Sequence, residues 1–291
     1  MQLYFKIICF LFVTIVCNAY QHTAEKLLVI VIPSYNNEQW YQHNLSSIFM
    51  QEYSNYYIIY IDDCSTDNTY TLVKEYIHHA GQEHRVILIR NPERKGHLYN
   101  HIQAVQMAEP HAIIVHIDGD DWLRLDHPRT DIFQMINHIY DDTNVWLTYG
   151  SYYRYPYSNI GSCRPFPADV IEKATYREFA WVSSHLRTFY AWLFKQIDKN
   201  DFIYTGSDPA YQKALWPAAV DLAFMFPMLE MAAGRIFYVK DIIYTYNRAN
   251  VLNLCEGPMR NIQNDCAQLI RNKKPYKPLD QSVFWHYMGL Q

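Results

Sequence analysis

The chain has 291 residues, half of them apolar, with 25 Lys and Arg against 29 Asp and Glu and a net charge of −4. That length suits one large domain with a substantial core, and the apolar fraction excludes a disordered chain. Without a basic block, the near balance of charge gives no electrostatic basis for binding nucleic acid, so a small substrate is expected.

Residues 1–20, "MQLYFKIICFLFVTIVCNAY", hold one Lys, an apolar run from Ile7 to Cys17, and then Cys17-Asn18-Ala19, close to a small-x-small cleavage site. The run is shorter than the roughly 20 apolar residues that a spanning helix needs. A cleaved signal peptide is expected, with an uncleaved N-terminal anchor as the alternative. From residue 27, "LLVIVI" (27–32), "YYIIYI" (56–61), "RVILI" (85–89), "AIIVHI" (112–117) and "VWLTY" (145–149) read as buried strands. Between them, residues 38–50, 98–108 and 130–140 carry helical patterns. So does the stretch holding Leu72, Val73, Tyr76 and Ile77, capped by Asp67 or Asn68 and ending near Gly81. Strand starts recur roughly every 30 residues, the length of a βαβ unit, which predicts a doubly wound α/β layout through residue 150 with helices on both sheet faces.

After Gly150 the regularity fails. "GSYYRYPYSNIGSCRPFP" reads as a long irregular loop, residues 175–200 as helical, "YTGSDPAYQ" as a second loop and 218–233 as a helix, with "RIFYV" and "IIYTY" as further strands. The 26 tyrosines are read as packing residues with a polar tip. Cys9 and Cys17 lie in the leader, and Cys64, Cys163, Cys255 and Cys266 lack the spacing of a zinc site. An oxidising compartment would permit Cys255 to pair with Cys266, which spacing alone does not establish.

Two apolar runs end abruptly in carboxylates: "IIYIDDCSTDNTY" (58–70) and "IIVHIDGDDWLRLD" (113–126). In open α/β sheets, ligands bind outside the carboxyl ends of the strands. Asp62 and Asp63 are adjacent, so in extended chain they point to opposite faces and one of them faces a ligand. Asp118 and Asp120 are two apart and point to one side, where together they would approach a hard cation, Mg2+ or Mn2+, able to offset charge on a diphosphate. A solvated turn explains either cluster alone. Two such clusters on one sheet favour a site.

Together "VIPSYNNEQW" (31–40), "IYIDDCSTDNT" (59–69) and "HIDGDDWL" (116–123) resemble the GT-A glycosyltransferases of family 2, over residues 27–150 and more weakly to about 248. The resemblance implies a Rossmann-like α/β fold with a mostly parallel sheet and a C-terminal acceptor-binding region. It divides the chain into a nucleotide-sugar-binding half at 21–150, an acceptor and catalytic-base half at 151–250, and an extension at 251–291. It implies metal-dependent, inverting transfer of a sugar from a nucleotide-sugar donor, with UDP the expected nucleotide, to a hydroxyl acceptor on carbohydrate, lipid or protein. Pro33 and Tyr35 match the loop that holds the base, and Asp63 the carboxylate that accepts a hydrogen bond from uracil. Asp118 matches the group near ribose and diphosphate, and Asp120 the principal metal ligand of the DxD motif, with Asp118 beside it. In "NPERKGHLYNHIQA" (91–104), Lys95 or Arg94 would approach the donor, as would Arg248 after "YTYN".

The family's catalytic base is an Asp opening a late helix, which matches Asp221 in "AAVDLAFMFPMLEMAAG". Val220 stands where Glu is usual, so Asp208 and Glu230 are held as alternatives. Two rival readings remain. One is a non-catalytic nucleotide-sugar binder on this fold. The other is a haloacid dehalogenase-like phosphatase, against which Trp122 and Leu123 stand at the wrong places after the DxD. Because sugar nucleotides are imported into the endoplasmic reticulum and Golgi, a signal peptide would place a working transferase in that lumen. An uncleaved leader would make it membrane-anchored.

Overall fold

The computed structural model describes residues 24–125, 131–250, 252 and 259–290. The leader at 1–20 and Cys255 fall outside them, so the signal, the anchor and the Cys255–Cys266 pairing belong to the sequence reading alone.

The apolar runs form strands because both of their faces are covered. Every residue of β1 (Leu28–Ser34) is buried, and full burial of a Val, Leu or Ile side chain contributes about 1.5–3 kcal/mol. The chain continues through α1 (Tyr41–Phe49), β2 (Tyr56–Asp62), α2 (Thr69–His79), β3 (Val86–Arg90), α3 (His97–Met107) and β4 (Ile113–His116). Next come β5 (Trp122–Leu123), α4 (Ile132–Ile139), β6 (Leu147–Gly150), β7 (Tyr153–Tyr155), β8 (Asn159–Ile160) and α5 (Ala168–Lys173). The remainder holds β9 (Ser184–Tyr190), α6 (Ala191–Lys195), α7 (Val220–Ala232), β10 (Ile236–Val239), β11 (Tyr244–Asn247), α8 (Met259–Arg271) and α9 (Gln281–Met288).

Seven strands form one sheet in the order β10-β6-β9-β4-β1-β2-β3. All of its pairings are parallel except the two that β9 makes with β4 and β6. This is the α/β fold with a mostly parallel sheet that the strand spacing predicts. Ser34 pairs with Asp62 and Val31 with His116, and this register brings β1, β2 and β4 to an end at one edge of the sheet. Asp63 N–H donates to Ser34 O at 2.8 Å and Gly119 N–H to Pro33 O at 3.1 Å, which holds both acidic loops against the end of β1. Among the described residues, no helix is long and apolar enough to cross a membrane.

Two expectations are corrected. Residues 175–200 are not one helix, because Ser184–Tyr190 is a sheet strand lying between β4 and β6. Burial on both faces removes the alternation that marks a strand, and Thr188 is satisfied internally, its hydroxyl bonding Thr148 at 2.7 Å and Tyr140 at 2.9 Å. The supposed irregular loop after Gly150 contains β7 and β8, which join β5 and β11 in a second sheet of order β5-β11-β7-β8. These strands are only two to three residues long, too short for a periodic signal.

Helix α7 is buried from Leu222 through Ala232, as its apolar sequence requires. Within it, Glu230 is fully buried and accepts from Arg177 Nε at 2.6 Å, Arg177 NH2 at 3.0 Å and the Tyr276 amide at 2.9 Å. Those contacts make Glu230 a structural tie between α7 and the C-terminal region, not an acid–base group. Glu230→Ala is expected to cost about 3–5 kcal/mol by stranding the buried guanidinium, read as a lower urea midpoint. A midpoint within experimental error of wild type would contradict this role.

Candidate active site

Pro33, Tyr35, Asp63, Asp118 and Asp120 line a single cleft at the shared strand ends, together with Arg94 and His97. Gly119 separates the two aspartates for a steric reason. A Cβ there would lie 2.7 Å from Ser34 Cβ and 2.8 Å from Asn37 Nδ2, so the absence of a side chain lets the acidic loop close on the end of β1.

Asp62 and Asp63 diverge. Asp62 turns inward, accepting from the Ser65 amide at 3.2 Å with Arg90 Nε at 3.5 Å, and burial raises its carboxyl above the ordinary value despite these partners. Asp63 faces the loop before α3, accepting at 2.8 Å from each of the Lys95 amide, the Gly96 amide and the Asn91 side chain. Burial opposes its ionisation, but those donors prevail and hold its pKa below the usual carboxylate range. Gly96, at φ +88, takes a left-handed turn that brings two successive N–H groups to one carboxylate. A carboxylate has about four acceptor positions, so three donors leave Asp63 room for another.

Asp63→Asn mimics the protonated acid and leaves a backbone donor facing an amide. It is expected to cost about 2 kcal/mol at neutral pH. Because the folded-state pKa is depressed, this stabilisation is present above the unfolded carboxylate value, about 3.9, and lost as pH falls through the folded value. Urea melts at pH 7 and pH 3 should therefore show a gap between wild type and variant that narrows in acid. A gap independent of pH would contradict it.

Asp118 Oδ1 lies 2.9 Å from His116 Nε2 and 3.3 Å from His97 Nε2. Burial opposes its ionisation, yet the two imidazoles hold its carboxyl well below the usual range. Burial and the neighbouring Asp118 charge push Asp120 up to about 6, and its Oδ2 accepts from Asn250 Nδ2 at 2.7 Å. Asp121 is fully buried and serves as scaffold: its oxygens accept from the Tyr244 hydroxyl and the Asn247 amide, each at 2.7 Å. Asn44 adds bonds to the carbonyls of Asp118 at 3.0 Å and Asp121 at 2.7 Å.

Of the two basic candidates, Arg94 lines the cleft with its guanidinium 4.0 Å above the Tyr35 ring, whereas the Lys95 ammonium pairs with Glu93. Lys95 thus reaches the site through its backbone N–H. Asp221 lies in the first turn of α7 and is not among the residues lining the cleft; its Oδ2 accepts from Arg187 NH2 at 2.9 Å. Asp208 caps a short 3-10 turn at Pro209–Tyr211. Sequence reasoning did not single out His97, His116, Asp121, Arg187 or Asn250. The signal for His116 and Asp121 was adjacency to the DxD, and Arg187 was hidden in the segment read as helix.

Residues 29–202 match the family model for "Glycosyl transferase family 2". The chain is 26% identical over 175 residues to "Putative colanic acid biosynthesis glycosyl transferase WcaA" of Escherichia coli (strain K12), covering 58% of this chain and 59% of that protein. It is 29% identical over 126 residues to "UDP-Glc:alpha-D-GlcNAc-diphosphoundecaprenol beta-1,3-glucosyltransferase WfgD" of Escherichia coli, covering 43% and 46% respectively. The chain therefore spans less than two thirds of the length of these relatives. Among solved structures, it superposes on mannosyltransferase PcManGT from Pyrobaculum calidifontis, in complex with GDP-Man and Mn2+, with a TM-score of 0.57 at 17% identity, covering 91% of this chain and 70% of that one. It superposes on S. aureus TarS 1-349 in complex with UDP with a TM-score of 0.53 at 15% identity, covering 90% and 69%. These neighbours share the GT-A fold, which sets aside the dehalogenase-like alternative. With more than half of its length matching the family model, the chain belongs to glycosyl transferase family 2.

Proposed function

We infer that the chain transfers a sugar from a UDP-sugar to a hydroxyl acceptor, with inversion at the anomeric carbon and with Mn2+ or Mg2+ bound. The observation carrying this reading is the cleft itself, which has a carboxylate with a spare acceptor position at Asp63 and two further carboxylates at Asp118 and Asp120. Asp63 would accept the N–H of the base, while Pro33 and Tyr35, with Arg94 above it, would flank the ring.

The donor set fits a divalent cation: burial and the neighbouring Asp118 charge raise the Asp120 pKa, and a cation would stabilise both carboxylates in their charged form. Asp118 and Asp120 would hold it. When bound, it would neutralise charge on the departing diphosphate. Asp221 would take the acceptor hydroxyl proton as the oxygen attacks the anomeric carbon from the face opposite the diphosphate. The UDP-glucose relative and the UDP-bound TarS neighbour support uridine, whereas the GDP-Man-bound neighbour makes guanosine the arm to test against it. A secretory-lumen setting rests on the leader's composition, and protease protection in microsomes would test it.

The test is release of free nucleotide from a panel of UDP- and GDP-sugars, with and without Mn2+. Cation-dependent release from a UDP-sugar is expected, and release from none of the panel would reject transferase activity. The binder reading draws on the ion pair between Asp221 and Arg187, which occupies the base. Tight donor binding without turnover across varied acceptors would favour it.

A further inference from the structure

At its acidic end the cleft meets the second sheet. Asn250 Nδ2 donates to Asp120 Oδ2 at 2.7 Å and Asn247 Nδ2 to the Asp120 carbonyl at 3.1 Å, which holds the end of β11 against the acidic loop. Tyr246 and Asn250 thereby enter the cleft lining. The Tyr246 ring stacks on His185 at 5.6 Å between centroids, and Tyr152 meets it edge-on at 5.2 Å. Tyr246 pairs in register with Arg154 of β7, so the two side chains leave the same face of the sheet from backbones one strand spacing, ~4.8 Å, apart.

The hairpin of β7 and β8 positions Arg154 without neutralising it. Its NH1 donates to Asn159 Oδ1 at 3.2 Å and its NH2 to the Tyr152 hydroxyl at 3.4 Å, with the guanidinium 5.4 Å from the Tyr152 ring centre. Both acceptors are neutral, and among the described residues Arg154 forms no ion pair. A guanidinium carries more N–H donors than these bonds use. No Asp or Glu occurs from residue 143 to 168, nor within β5 and β11, so the strands of this sheet bring no counter-charge. Arg154 is partly exposed, so an incoming anion can reach it.

In the reading proposed above, the base lies at Asp63 and the diphosphate at Asp118 and Asp120. An acceptor then approaches the anomeric carbon from the end lined by Tyr246 and Asn250. Aromatic rings there suit the apolar C–H face of a pyranose, and a guanidinium fork suits an oxyanion, which it can bind through two parallel N–H bonds. We propose that the face formed by Tyr246, Tyr152 and Arg154 is the acceptor subsite, and that the acceptor is a saccharide carrying an oxyanion, phosphate or carboxylate, that pairs with Arg154. This inference rests on the proposed transfer reaction and narrows its acceptor.

The test is saturation-transfer difference NMR on the protein saturated with UDP and Mg2+, a diamagnetic ion, so that the donor's own phosphate positions are filled. The probes are the methyl glycosides of glucose, galactose and N-acetylglucosamine, the 1-phosphates of the same sugars, and glucuronic and galacturonic acids. At least one phosphate or uronate should bind about tenfold more tightly than its uncharged counterpart, and the two arms tell which oxyanion the site takes. Arg154→Gln should abolish that advantage while UDP and the uncharged sugars change by less than about twofold. If the glutamine variant folds poorly, Arg154→Lys serves, keeping the charge without the fork and losing about threefold.

Equal binding of charged and uncharged sugars, an advantage undiminished in the variant, or binding by none of the probes would overturn the anionic-acceptor assignment, with UDP binding leaving the nucleotide reading intact. Failure of wild type to bind UDP would overturn that nucleotide reading itself.

Discussion

Asp120→Ala is expected to lower nucleotide-sugar turnover by about a thousandfold while leaving the fold in place. A cation and its ligands contribute several kcal/mol of charge stabilisation to a diphosphate leaving group, and about 1.4 kcal/mol corresponds to a factor of ten in rate. Structural damage should be small, because among the described residues the Asp120 side chain makes one hydrogen bond, to Asn250, whereas the loop is held by Asp121, Tyr244, Asn247 and Asn44. Removing the carboxylate also relieves its repulsion with Asp118. Steady-state rates with saturating Mn2+, read beside a thermal melt, check both halves. Near-normal turnover with an unchanged melt would remove Asp120 from the chemistry.

Asp221→Asn is expected to reduce transfer by about a hundred- to ten-thousandfold, the usual contribution of a positioned base, with donor affinity within about twofold of wild type. The substitution keeps size and one acceptor oxygen, so Arg187 retains a partner and α7 should stay folded. The predicted separation is in kcat with acceptor present, not in UDP-sugar binding by calorimetry. Retained transfer would place the base elsewhere. A variant that loses stability but keeps transfer per folded molecule would make the Asp221–Arg187 contact purely structural.

The first half of the fold was legible because it obeys simple periods. β1 and β2 are unbroken apolar runs, α2 and α3 repeat at helical spacing, and the lengths between strands fit βαβ units. β9 was illegible for a physical reason: the strand is buried along its whole length, so its pattern does not alternate, and its Arg187 and Thr188 find partners in Asp221, Thr148 and Tyr140 that only the folded molecule supplies. Of the second sheet, β11 falls in the stretch read as a strand, whereas β5, β7 and β8 escaped notice because they are shorter than any periodic signal.

The same division runs through the site. The divergence of Asp62 and Asp63 follows from strand alternation alone, and the structure shows it: one carboxylate turns to Ser65 and the other to Lys95 and Gly96. The surroundings of Asp118 depend on residues brought from α3 and β4, and the scaffold role of Asp121 on β11. No local spacing announces such contacts. Lys95 illustrates the limit from the other direction, since its charge attracted notice in the sequence whereas its backbone N–H meets Asp63.

The central claim is that a nucleoside diphosphate lies in the cleft between Asp63 and Asp120. A crystal structure of the protein soaked with UDP and Mn2+, with anomalous data collected for manganese, tests it most directly. The uracil N–H should lie within hydrogen-bonding distance of Asp63, with an anomalous peak beside Asp118 and Asp120 and the diphosphate next to it. Nucleotide density at any other surface, or uracil bound away from Asp63, would contradict the assignment.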